Sequence, residues 1–167
     1  NGADEGLDVC DYEDECAPPC TPGDSNGDGS IDVLDIVGTV NYILEGGDDF
    51  DVDCADVNGD GAINVLDIVA TVNIILGDRT VDATEARLIK VGNALNLNTD
   101  GYIGGVQMTL SHGGDFSIEL TDKAMVSDYR TNGNETTLII VAPTSDELFI
   151  ADGEYEIVEM IVANSAG

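Results

Sequence analysis

Residues 24–44 read DSNGDGSIDVLDIVGTVNYIL, and residues 56–76 read DVNGDGAINVLDIVATVNIIL. The two stretches agree at every position except Ser25/Val57, Ser30/Ala62, Asp32/Asn64, Gly38/Ala70 and Tyr42/Ile74. Numbered from its first Asp, each copy sets oxygen-bearing side chains at positions 1, 3, 5, 9 and 12. These are Asp24, Asn26, Asp28, Asp32 and Asp35 in the first copy, and Asp56, Asn58, Asp60, Asn64 and Asp67 in the second. At position 7, Ser30 and Ala62 would offer a backbone carbonyl. At position 6, Gly29 and Gly61 permit a backbone turn that a Cβ would hinder. Hard oxygen donors at alternating positions of a loop that curls on itself are the pattern of an EF-hand-type calcium loop, so two calcium ions are expected. Without metal, seven carboxylates would crowd into two small loops. Position 12 is Asp rather than the usual Glu, so the shorter side chain must draw the backbone nearer to the ion or ligate it differently.

Each loop runs into an apolar segment, VLDIVGTVNYIL (33–44) or VLDIVATVNIIL (65–76), closed by Gly46 or Gly77 as a helix stop. Apolar residues cover more than one stripe of each helix, which predicts that the helices pack on each other and are buried on most sides. The prolines of CAPPCTPG (16–23) exclude a helix leading into the first loop. Each unit is therefore a loop plus one exiting helix.

Tandem DxNGDGxINxxD loops, each with a single exiting helix and Asp at position 12, resemble type I dockerin modules over about residues 22–78. The resemblance implies a calcium-dependent plug for a cohesin, itself a β-sandwich module. It places partner contacts at loop positions 10 and 11 and along the following helix. Here those are Val33, Leu34, Val40 and Asn41 in the first copy, and Val65, Leu66, Val72 and Asn73 in the second. The apolar residues at positions 10 and 11, and Val-Asn where many relatives carry basic residues, imply a partner surface more apolar and less charged than usual.

After Arg79 the apolar pattern changes to period two. FSIELT (116–121) alternates, and TTLIIVA (136–142) is a continuous apolar run expected to lie between two sheets. EYEIVEMIVAN (154–164) alternates but slips near Val158, which predicts a bulge. Residues 86–97 are read as two further strands. Turn signals fall at NTDG (98–101), HGGD (112–115), TNGN (131–134) and ADG (151–153). About seven short strands predict an antiparallel β-sandwich, loosely cohesin-like but short for one. The expected architecture is α+β and multidomain: an acidic cysteine-containing segment (1–21), a small all-α dockerin-like calcium-binding domain (22–79) and a β-sandwich (80–167).

The formal net charge is −29, and residues 1–78 contain no Lys or Arg. That sign excludes a nucleic-acid binder and favours cations as ligands. No apolar stretch is long enough to span a membrane. Four cysteines, Cys10, Cys16, Cys20 and Cys54, fit disulfides in an oxidising compartment, with three pairings open; Cys10–Cys16 with Cys20–Cys54 is the arrangement favoured here. The single histidine, His112, reads as a surface turn residue. The five tyrosines read as core edges or interface, and GDDFDVD (47–53) as a solvated linker. No nucleophile or acid–base constellation stands out, so no enzyme is expected. The sequence points to an extracellular or cell-surface bacterial protein–protein assembly module. Its first reading is a structural subunit whose plug enters the sandwich of a neighbouring copy, giving a homo-oligomeric, head-to-tail filament. The alternative is the anchoring region of a larger secreted polysaccharide-degrading enzyme, bound to a cohesin on a separate scaffold.

Overall fold

A computed structural model describes residues 20–47, 50–77 and 81–166. The helical part holds α1 (Val33–Glu45), the short α2 (Val52–Ala55) and α3 (Val65–Leu76). Asp32 and Asn64, in extended backbone, cap α1 and α3. Each accepts a hydrogen bond from the backbone of the first turn, while Asp35 or Asp67 accepts one from the cap residue's own N–H. This reciprocal box satisfies two of the helix's orphan donors. Gly46 and Gly77, at φ near +72° and +73°, end both helices as expected, donating back to Tyr42 and Asn73.

Eight strands follow: β1 (Ala86–Val91), β2 (Ala94–Thr99), β3 (Gly105–His112), β4 (Ser117–Leu120), β5 (Val126–Asn132), β6 (Glu135–Val141), β7 (Glu147–Asp152) and β8 (Tyr155–Ala163). They form two antiparallel sheets, ordered β1-β2-β7-β4 and β5-β6-β3-β8. The expected slip in β8 is present: Thr109 pairs with Glu159 and Leu110 with Ile157, leaving Val158 as the extra residue. His112 is not a free turn residue. It closes β3, pairing with Tyr155 of β8, with its Nε2 bonded to the Thr136 hydroxyl and its ring stacked on Phe116.

Between the sheets lies one core, built from Leu95, Leu97, Val106, Met108, Leu110, Leu138, Ile140, Leu148 and Phe149. A second core lies on the outer face of the β5-β6-β3-β8 sheet. There Ile36, Val40, Val65, Ile68 and Val72 of the helices meet Ile139 and Val141 of β6, with Val126 and Ile161 packed at the margin. The apolar run of β6 is therefore not sandwiched between two sheets: Leu138 and Ile140 face the sandwich interior, and Ile139 and Val141 face the helices. Helical and sheet parts share a core rather than standing apart. The expected boundary at 79/80 falls outside the described residues, as does nearly all of the expected N-terminal segment.

The chain enters the sandwich through a hydrogen-bonded clamp. The Asp82 carboxylate accepts from the backbone and hydroxyl of Ser165, and Asn164 Nδ2 donates to the Ala83 carbonyl. Among the described residues no helix is long and apolar enough to cross a membrane.

Candidate calcium centre and docking face

Both loops curl around their own carboxylates. In the first, Asp24 accepts from the backbone N–H of Asp28 (3.1 Å) and Gly29 (3.0 Å), and Asp28 accepts from Ser30 (2.8 Å). Asp35 reaches back from the helix to accept from Asn26 (3.2 Å) and Asp32 (2.9 Å). The second loop repeats the pattern. Asp56 accepts from Asp60 (3.1 Å) and Gly61 (2.8 Å), Asp60 from Ala62 (2.8 Å), and Asp67 from Asn58 (3.3 Å) and Asn64 (3.0 Å). Asn26 and Asn58 each turn Oδ1 onto the N–H of the Asp two residues on. Positions 1, 3, 5, 9 and 12 of each loop thus sit on one short curl.

Asp35 and Asp67 are fully buried. Burial pushes the Asp67 carboxyl above its ordinary value, and Asp56 and Asp60 push the same way, while the N–H groups of Asn64 and Asn58 pull it back. A buried carboxylate needs a compensating charge. The one ion pair among the described residues joins Arg130 to Glu45 at the far end of α1. An all-oxygen donor set on a curled loop, with a buried carboxylate that has no basic partner among the described residues, fits a hard divalent cation of the calcium type.

Cys20 and Cys54 form a disulfide, with Cα atoms 5.3 Å apart, as favoured; Cys10 and Cys16 lie outside the described residues. The bond ties the chain just before the first loop to the chain just before the second, and Gly23 N–H donates to the Cys54 carbonyl beside it (2.8 Å). Asp51 lies near the two sulfurs, but both are spent in the disulfide and its carboxylate caps α2 through Asp53 and Cys54. That capping role went unread in the segment 47–53. Asp48 and Asp49 of that segment lie outside the described residues.

The expected partner surface is split in two by the fold. Val33 is 47% exposed, Leu34 58% and Val37 38%, and Asn41 is exposed too. These four residues line one outward stripe of α1; Val37 extends the expected set, and its helical spacing from Val33 and Asn41 was the available signal. The equivalent stripe on α3 is Val65, Leu66, Val69 and Asn73, and it is turned onto the sandwich. Val65 and Val69 are buried against the start of β3. The Val65 N–H donates to Gln107 Oε1 (3.0 Å), and Asn73 Nδ2 donates to the Ser165 carbonyl (2.6 Å). Leu66 is only half-buried. Val40 and Val72 lie in the core shared with the sheet. As surface for an external partner, Val40, Val65 and Val72 are corrected: the chain's own sheet covers them.

Residues 22–76 match the family model of the dockerin type I domain. No curated protein and no solved structure matches the chain.

Proposed function

We propose that the chain is a calcium-dependent docking module whose α1 face enters a β-sandwich partner on a separate scaffold protein, as a dockerin enters a cohesin. The dockerin match over 22–76 supports the assembly role. The observation that carries the reading is the unequal fate of two near-identical stripes: Val65, Val69 and Asn73 are taken up within the chain, while Val33, Leu34, Val37 and Asn41 remain turned outward. Exposed apolar residues in such a row mark an interaction surface. The reading places one calcium ion in each loop, assigns no catalysis to the chain, and sets it in the secreted compartment where dockerin domains occur and where its disulfide is stable.

A filament built by plug-into-sandwich contacts is weighed against by the same observation, because that contact is already made inside one chain. The experiment is titration calorimetry of the chain against a set of cohesin domains, in calcium and in chelator. Tight binding in calcium that disappears in chelator, and that Leu34→Asp with Val37→Asp abolishes without lowering Tm, is the expected result. A calcium-dependent complex that tolerates both substitutions would remove α1 as the docking face.

A further inference from the structure

The two calcium loops are near-copies in sequence, yet only the second has its exit, at Val65, covered by the sandwich. We propose that Gln107 of β3 is a positioning residue for the second loop, so that calcium held by residues 56–67 and the docking of the sandwich reinforce each other, while calcium held by residues 24–35 does not take part. This inference rests on the calcium reading above.

The argument starts at Val65. It occupies loop position 10, directly after the ligand-position residue Asn64 and two before Asp67. It is also the first residue of α3. Its N–H, an orphan donor of the helix start, is taken by Gln107 Oε1 at 3.0 Å. Its side chain is fully buried and presses on Gly105. One turn on, Val69 presses on Gly104, and at the last turn Asn73 bonds Ser165. The whole docked edge of α3 thus begins inside the second calcium loop. An ion that fixes Asn64 and Asp67 fixes the turn that the sandwich grips, and the grip holds those two side chains ready for the ion. Val33, the counterpart of Val65, is about half exposed, and no sandwich side chain accepts from its N–H among the described residues.

Coupling of this kind is reciprocal: the factor by which docking tightens calcium in the second loop equals the factor by which that calcium tightens the dock. Groups that orient metal ligands without touching the metal typically change affinity by about 10- to 100-fold when removed. The test uses the whole chain and leaves every calcium ligand intact. Gln107→Leu keeps the bulk of the side chain and removes the acceptor; Gln107→Met serves the same purpose should the first variant fold poorly. Calcium calorimetry on the wild type should resolve two sites. In the variant one site should weaken on the order of ten-fold and the other stay as it was. Amide hydrogen exchange supplies a second readout: protection should fall at residues 65–68 and hold at residues 33–36. Two sites that weaken alike, or two that do not change, would overturn the coupling while leaving the calcium reading standing. A wild-type chain that binds no calcium would overturn both.

Discussion

A Cγ methyl of Val65 lies over the backbone of Gly105 so closely that a Cβ on Gly105 would stand 2.5 Å from it. The neighbouring Gly104 is pressed in the same way by Val69, at 2.7 Å. The glycine pair is what lets α3 sit flat on the start of β3. Gly105→Ala should therefore push the helix off its seat and cost about 1–3 kcal/mol, as overpacking of a tight core does. The urea midpoint of the calcium-loaded chain checks this. A variant as stable as the parent would mean that the helix can shift at no cost.

Removing calcium should destabilise the whole chain, because the helices that the loops begin share a core with the sheet. Each saturated site contributes about 2.7 kcal/mol when free calcium stands at 100 times its Kd. Thermal melts across a calcium series should show Tm rising with the logarithm of free calcium once its concentration exceeds the Kd of the loops. A Tm indifferent to chelator would refute calcium in either loop.

Breaking the Cys20–Cys54 bond frees the segment from just before the first loop to just before the second. Cross-links of this kind stabilise by about 2–4 kcal/mol, largely by restricting the unfolded chain. The double variant Cys20→Ser, Cys54→Ala should lose that much in denaturant unfolding at saturating calcium. A loss below about 0.5 kcal/mol would indicate that the unfolded chain is already restricted without the bond.

Asp100 contributes to the acid limb of the sandwich. The Thr84 hydroxyl donates to its carboxylate, as do the backbone N–H groups of Glu85 and Thr84, and together they hold its pKa down to about 2. Because the folded value lies below the ordinary 3.8, the stabilisation is complete above that value and is lost as pH falls towards 2. Asp100→Asn should lower Tm at pH 6 and make no difference near pH 2. Parallel Tm curves for parent and variant over that window would contradict the assignment.

Much of this was legible in the residues. Gly46 and Gly77 as stops and the extra residue at Val158 act through local backbone chemistry, which a sequence displays directly, whereas Asp32 and Asn64 were read as ion ligands and their capping of α1 and α3 was not. The fate of the helices was not legible, and the reason is physical. VLDIVGTVNYIL and VLDIVATVNIIL are too alike for anything inside them to decide which one is covered. That choice is made by residues far along the chain, Gly104, Gly105 and Gln107, which only the pairing of β3 with β6 and β8 brings beneath α3. The same distance hid the second face of β6. An apolar run shows that both sides of a strand are buried and is silent about what buries each. It also left His112 looking like part of a turn, when the Thr136 hydroxyl across the sheet holds it in the ladder.

The alternation along β6 has a thermodynamic consequence. Leu138 and Ile140 belong to one core, Ile139 and Val141 to the other, so this strand cannot leave either core alone. A shift of one residue would exchange all four side chains between the two. Helices and sandwich should accordingly melt as one cooperative unit, with calorimetric and van't Hoff enthalpies equal in saturating calcium. Helices joined to a sandwich through one strand keep no independently melting half, so heat that displaces them opens the sandwich as well.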